Sequence, residues 1–291
     1  MSVPLTLLYA PADKPERFLK ALESGAHAVI FDLEDAVAAG RKDEARANLA
    51  SFFADAELGP QGYLTSTGRS VSLQLRINVR GSQWHAEDLA LVRGLPASVG
   101  VRIPKATTAE QVVSIAQEVD ERPVFLLLEN ALGVENALAL ATAHPQVAGL
   151  SLGEADLRSE LGIQGDKGLE YARSRVVYAS RAAGLEPPSM AVYASVSDLD
   201  GLAASCLEGK ALGMLGRTAI HPKQLTTIVS AFMPSEAEIE RARAVIATLG
   251  HAQGAGSGTA VLADGTFLDA AMVQLAKRTV ALSQLVESSG K

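Results

Sequence analysis

Short apolar runs rich in β-branched residues alternate with longer amphipathic stretches through most of the chain. The runs Leu5–Ala10, Ala28–Asp32, Ser72–Asn78, Val99–Pro104, Val124–Glu129, Val147–Leu152, Met190–Ala194 and Leu212–Gly216 read as eight strands. Between them Pro15–Ser24, Lys42–Phe53, Thr108–Val119, Asn136–Ala143, Leu169–Ala183 and Leu199–Glu208 carry helical spacing. Strict alternation implies a parallel sheet, because parallel neighbours need a crossover helix. Eight such units close into a TIM (β/α)8 barrel, with a doubly wound open sheet as the competing arrangement.

Two segments fall outside this rhythm. Gly59–Ser70, rich in Gly, Ser and Thr, precedes the third strand and reads as a mobile connection at the bottom of the barrel. After the eighth helix, Pro234–Leu249 opens with a Pro-Ser-Glu helix start. Gln253–Gly258 reads as a Gly-rich hinge, and a turn at Ala263-Asp264-Gly265 leads to a last helix. Residues 1–233 are thus expected to form the barrel. Residues 234–291 form a helical lid extension, too small for a domain, that caps the barrel mouth of its own chain or a neighbour.

Composition narrows the picture. A chain of 291 residues suits one barrel plus a short extension. The 33 acidic and 26 basic residues, a net charge of −7, argue against a nucleic-acid partner. Cys206 is the single cysteine, so no intrachain disulfide exists. No signal-peptide layout opens the chain and no apolar run is long enough to span a membrane, which points to a soluble, cytoplasmic protein.

In a barrel the informative polar residues end the strands, because catalysis sits at the strand C-termini. Here Phe31 leads into Asp32-Leu33-Glu34-Asp35, and the third strand ends Arg76-Ile77-Asn78. The fourth ends Arg102-Ile103-Pro104-Lys105, the fifth Leu128-Glu129-Asn130, and the sixth Gly153-Glu154-Ala155-Asp156. The rim is rich in carboxylates, poor in histidine and free of cysteine, which suits a hard cation such as Mg²⁺ and disfavours zinc. Glu129 and Asp156, on adjacent strand ends, are the candidate ligands. The alternative is that they pair with Arg76, Arg102 or Lys105 in a structural ion network. Lys105 could form a Schiff base, or it could pair with neighbouring carboxylates or an anion.

Other motifs say less. The glycines around Gly254 and Gly256 lack the strand and helix of a dinucleotide site. Ser151 and Ser195 lack an elbow motif and a partner histidine. His221 before Pro222 reads as ordering a helix entry. Lys14, Arg17, Arg41, Lys42 and Arg46 form either a solvated face or a seat for phosphates.

The chain resembles the citrate lyase β-subunit-like family within the HpcH/HpaI aldolase superfamily. The resemblance rests on Phe31-Asp32-Leu33-Glu34-Asp35-Ala36-Val37 with Lys42 and Arg46, then Leu75-Arg76-Ile77-Asn78, Arg102-Ile103-Pro104-Lys105 and Leu128-Glu129-Asn130. It continues through Gly153-Glu154-Ala155-Asp156-Leu157, Gly213-Met214-Leu215-Gly216-Arg217 with Ile220-His221-Pro222-Lys223-Gln224, and Phe232-Met233-Pro234-Ser235. It implies a TIM barrel, usually a homotrimer, with Mg²⁺ held by Glu129 and Asp156. Arg76 is implied to contact substrate oxygens, and Asp32, Glu34, Asp35, Lys105, Ala155 and Asp156 to line the substrate and coenzyme A side. Asp269 matches a catalytic lid aspartate that reaches a neighbouring subunit's site, although an aspartate there also suits a helix N-cap.

The implied activity is a Mg²⁺-dependent retro-aldol cleavage of a 3-hydroxyacyl-CoA of the citramalyl-, malyl- or citryl-CoA type, giving acetyl-CoA and a 2-keto acid. A class II 2-keto-acid aldolase without coenzyme A is the alternative, as is a citrate lyase complex β subunit working on a carrier-bound thioester. A non-catalytic subunit or ligand-binding regulator on a decayed barrel is a reading of another class. The sequence departs from the family in three places. Many relatives read Gly-Ala-Glu-Asp at 153–156, carry aspartates where Met190 and Ser195 stand, and have Gly-Lys at 216–217. The apolar strand seven leans towards citramalyl-CoA.

Overall fold

The computed structural model describes residues 4–56, 58–59, 62–254 and 256–287. The chain divides after Phe232 into two compact units. The first opens with β1 (Thr6–Pro11), α1 (Phe18–Leu22), β2 (Ala28–Asp32) and α2 (Lys42–Asp55), then β3 (Leu58–Gly59), β4 (Gly62–Leu64) and β5 (Ser70–Arg76). It continues with α3 (His85–Gly94), β6 (Val99–Ile103), α4 (Ala109–Glu118), β7 (Val124–Leu128), α5 (Ala131–Glu135), α6 (Ala137–Ala141) and β8 (Val147–Leu152). After α7 (Glu154–Leu161), α8 (Glu170–Ala182) and α9 (Leu199–Ala211), β9 (Arg217–Ala219) and α10 (Leu225–Phe232) end it.

The strands pair in parallel in the order β8-β7-β6-β5-β2-β1-β9. Single bridges, Ser151 to Ser189 and Met190 to Arg217, fill the gap between β8 and β9 and bring the sheet round into a barrel. The run Ala28-Val29-Ile30-Phe31-Asp32 is buried at all five positions. That is why such strands read as continuous apolar runs, with helices on one face and the barrel interior on the other. The helices show the complementary pattern. In α4 the buried residues Gln111, Val112, Ile115 and Ala116 form one stripe, and Thr108 caps the N-terminus by accepting from the Gln111 N–H at 3.2 Å.

Three expectations need correction. The eighth barrel strand is Arg217–Ala219 and not Leu212–Gly216. Leu212 closes α9, its N–H bonded to Glu208 O, and Gly213 and Gly216 lie at φ 91° and 76°. A Cβ on Gly216 would meet Leu5 O at 2.6 Å, so the apolar run there is a turn folded against the first strand. The seventh strand shrinks from Met190–Ala194 to the bridges at Ser189 and Met190. Within Gly59–Ser70, of which Pro60 and Gln61 lie outside the described residues, β3 and β4 pair antiparallel and add onto β5 through Tyr63–Val71 and Leu64–Ser70. Glu23 fastens the pair by accepting from the Ser66 hydroxyl at 2.8 Å and the Tyr63 hydroxyl at 3.2 Å.

The second unit holds α11 (Glu236–Gly254), the hairpin β10 (Ala260–Val261) and β11 (Phe267–Leu268), and α12 (Ala270–Glu287). Ser235 and Glu238 form a reciprocal cap at the start of α11. The hairpin turn falls at Leu262–Thr266 with Gly265 at φ 86°. Ala242, Val245, Leu268 and Ala276 make this unit's own small core. Among the described residues no helix is long and apolar enough to cross a membrane.

Candidate active site

The end of β2 is built around Asp32. Its Oδ1 accepts from the Glu34 N–H at 2.8 Å and its Oδ2 from the Ala36 N–H at 3.1 Å, which folds the chain into a tight turn. In the sheet register Asp32 lies beside Arg76 of β5. The guanidinium therefore meets the same carboxylate with Nε at 2.7 Å and Nη2 at 2.6 Å. Its Nη1 reaches Glu34 at 2.8 Å and Asp35 at 3.4 Å, and the Tyr9 ring lies 4.8 Å from its centre. Burial works against the charge, yet the Asp32 carboxylate outweighs it and holds Arg76 well above its usual value. Arg76 is a fixed cation in one orientation.

Lys42 braces this turn from behind. It is buried, and its ammonium donates to Leu33 O at 2.6 Å, Glu34 O at 2.7 Å and Asn78 Oδ1 at 2.8 Å. Asn78 in turn donates to the buried Asp88, which also takes Arg46 at 3.0 Å. Arg41 pairs with Asp13 at 2.6 Å and with Glu44. Of the five basic residues considered from sequence, only Arg17 lines the cavity described below, together with Lys20.

Glu129 follows β7, and its Oε1 accepts the Lys105 N–H at 3.1 Å. Asp156 sits in the first turn of α7. Gly153 between them is forced by space: a Cβ there would lie 2.4 Å from Glu129 Cγ. Asp35, Glu129 and Asp156 each offer an oxygen within 4.8 Å of the others, the one such cluster among the described residues. Glu129 is buried. That burial, with the Asp156 carboxyl and the Glu34 charge beside it, pushes Glu129 up to about 9 against the Lys105 N–H and Arg76. Three convergent carboxyl groups, one forced towards its neutral form, are the donor set a hard divalent cation fits.

These residues surround a cavity of about 690 Å³ at the C-terminal ends of the strands. Asp32, Asp35, Arg76, Glu129, Ala155 and Asp156 line it, with Tyr9 and Ser151. Glu34 and Lys105 do not; they pair with each other at 3.0 Å outside its wall. For Lys105, burial opposes the charge, but the Glu34 carboxylate prevails and holds it above its ordinary value, the reverse of what a Schiff-base lysine needs. The ion network weighed against the metal reading exists, but it takes Asp32 and Glu34 rather than Glu129 and Asp156. Arg102 is buried deeper, donating to Gln74 at 2.9 Å and to Ser151 at 2.9 Å.

Asp269 accepts from the Ala271 and Met272 N–H groups at 3.0 and 3.2 Å and so caps α12. His221 accepts from the Lys223 N–H at 3.1 Å, completing a capping box with Gln224 at the helical turn that Pro222 begins. Glu154, which looks exchanged with Ala155 relative to the family, forms a two-point buried pair with Arg173 at 2.7 and 2.9 Å. Sequence reasoning gave Asp35 no metal role and passed over Tyr9 and Gly153. A polar aromatic near the end of the first strand was the available signal for Tyr9.

The sequence model for HpcH/HpaI aldolase/citrate lyase matches residues 5–222, the span of the strands and their polar ends. The chain belongs to that family. It is 35% identical to a (3S)-malyl-CoA thioesterase of Cereibacter sphaeroides over 98% of this chain and 96% of that one. It is 30% identical to the mitochondrial citramalyl-CoA lyase of Homo sapiens over 97% and 86%. The crystal structure of protein CitE from Mycobacterium tuberculosis in complex with magnesium, acetoacetate and coenzyme A superposes with TM-score 0.79 at 29% identity, covering 97% of this chain and 99% of that one. Within the HpcH/HpaI family the fold of this chain is thus shared with protein CitE.

Proposed function

We propose that this chain is a Mg²⁺-dependent carbon–carbon lyase that cleaves a 3-hydroxyacyl-CoA bearing a carboxylate into acetyl-CoA and a 2-keto acid. The observation that carries the reading is the trio Asp35, Glu129 and Asp156 beside the fixed Arg76 in one cavity. The magnesium and coenzyme A bound to protein CitE support it.

A divalent ion held by Glu129 and Asp156, with Asp35 at hand, supplies Lewis-acid polarisation of the substrate's oxygens and a template for them. Arg76 stabilises negative charge on the hydroxyl oxygen as it loses its proton and becomes a carbonyl. Asp32 keeps the guanidinium in place for that task. The bond between the acyl α-carbon and the hydroxyl-bearing carbon breaks, and its electron pair stays with the thioester fragment as an enolate. That enolate then takes a proton to give acetyl-CoA. Asp269 is the candidate proton carrier. The start of α7, where Ala155 lines the cavity, offers backbone N–H groups to the substrate carboxylate. Ala191 and Val192 bring no charge to their side of the cavity, which favours a methyl-bearing acyl group over one with a third carboxylate.

The 35% identity to a thioesterase supports a second reading, in which water cleaves the thioester and leaves the hydroxy acid intact. One experiment separates them. Malyl-, citramalyl- and citryl-CoA are incubated with enzyme and Mg²⁺, and 2-keto acid and free thiol are measured in parallel. A lyase gives keto acid without thiol, lost with EDTA and regained with Mg²⁺. Thiol without keto acid establishes the thioesterase, and turnover untouched by EDTA overturns the metal assignment.

A further inference from the structure

Lys105 stands outside the cavity wall, yet it is bonded to both halves of the chemistry. It follows β6 with φ 48°, a left-handed conformation that costs a residue with a side chain on the order of 1 kcal/mol or more. Two contacts result. The backbone N–H donates to Glu129 Oε1 at 3.1 Å, and the ammonium donates to Glu34 Oε1 at 3.0 Å. The other oxygen of Glu34 lies 2.8 Å from Arg76 Nη1. Glu34 is buried, so the two cations on either side are what balance its charge.

We propose that Lys105 is a positioning residue that ties the Glu129 half of the site to the Arg76 half, its backbone serving one and its ammonium the other. Without the ammonium, Glu34 has Arg76 as its one counter-charge and draws the guanidinium away from Asp32. The Arg76 N–H groups that face the cavity then turn from the place where oxygen charge develops. The metal half, held through a backbone N–H, keeps its geometry. Substrate affinity is kept as well, because Lys105 lines none of the cavity.

This inference rests on the proposed lyase reading, and its test keeps the two apart. Mg²⁺ binding is measured by calorimetry on wild type, Lys105→Met, Lys105→Arg, Glu34→Gln and the Lys105→Met/Glu34→Gln double variant. The kcat and KM of each are measured on the acyl-CoA that wild type turns over. Lys105→Met is expected to lower kcat about tenfold, and Glu34→Gln, which removes the charge that pulls on Arg76, by clearly less, with KM and Mg²⁺ affinity of both within about twofold of wild type. The double variant should return to the level of Glu34→Gln alone, above Lys105→Met, and Lys105→Arg should recover most of the kcat. Retained Mg²⁺ binding also reports that each variant is folded. A raised KM at unchanged kcat, loss of Mg²⁺ binding in Lys105→Met, or a borohydride-trapped adduct on Lys105 overturns the proposal. Absence of Mg²⁺ binding in wild type refutes the lyase reading itself.

Discussion

The rim formed by the ends of β2, β5, β7 and β8 and the rim formed by β1, residues 189–192 and β9 enclose one cavity with opposite chemistries. The first carries Asp32, Arg76 and Glu129, fixed by a turn, a register partner and a neighbouring backbone N–H, together with Asp35 and Asp156. The second carries Leu8, Ala191, Val192 and Ile220, with Arg17, Lys20 and His221 following its strands, and is reduced in places to a single bridge. The carboxylates stand where the sheet is continuous, and Ala191 and Val192 where it is thin. Catalytic geometry tolerates little displacement, whereas a wall that excludes water and accepts an alkyl group tolerates more.

The largest expected effect breaks the polar rim. Glu129→Gln keeps the side chain's shape but removes the buried carboxylate, so Mg²⁺ affinity should fall more than about 100-fold and turnover with it. Wild type should also show why Glu129 matters through pH. The metal-free fold holds its proton up to about 9, so Mg²⁺ must displace that proton at neutral pH. Affinity should therefore rise with pH by up to about tenfold per unit and level off above about 9. A carboxyl group raised in the fold favours the folded state while protonated. That stability is lost as pH climbs from the ordinary carboxylate range towards 9, so the rise in Tm on adding Mg²⁺ should grow across the same window. Calorimetry in buffers of differing ionisation enthalpy measures the proton released. Binding without proton release would remove Glu129 from the ligand set.

Next in size is a change beside the polar rim that leaves its chemistry alone. Glu154→Ala strands the Arg173 guanidinium, which is 2% exposed, with the more exposed Asp166 at 3.3 Å as its remaining partner. Breaking a buried pair from one side costs about 3 kcal/mol of folding stability. Denaturant unfolding should show that loss while Mg²⁺ affinity stays within about twofold. Weakened Mg²⁺ binding at full stability would mean that Glu154 belongs to the metal site after all.

How legible these regions were in the sequence follows the same division. The first six strands and the acids that end them could be read directly, because long buried strands make unbroken apolar runs that stop at a polar residue. Strand seven could not, since two single bridges leave no periodicity to detect. Strand eight was misplaced because Leu212–Gly216 is apolar for helix closure and turn packing, while the true strand opens with the buried Arg217. The pairing of β3 with β4 was hidden by a composition that suits loops equally well. Within the site, Lys42 was read as part of a solvated face or a phosphate seat, and for Lys105 pairing with neighbouring carboxylates was one of the readings, without the partner being named. Sequence shows charge but not that Leu33 and Glu34 expose carbonyls to one ammonium and that Glu34 turns a carboxylate to the other.

The smallest expected effect sharpens the apolar rim. Val192 is half-buried and lines the cavity. Val192→Thr exchanges one methyl for a hydroxyl at a half-buried position that water can still reach, so the fold should lose about 1 kcal/mol. The hydroxyl removes part of the apolar seat for a substrate methyl, and a contact of one methyl group is worth about tenfold in kcat/KM at the low end. The ratio of kcat/KM for citramalyl-CoA over malyl-CoA should therefore drop by somewhat less than tenfold, with the malyl-CoA value nearly unmoved. Measuring both substrates on one preparation cancels errors in active-site concentration. A fall shared equally by the two thioesters would place Val192 against the part they have in common, and the apolar rim would then face coenzyme A rather than the acyl group.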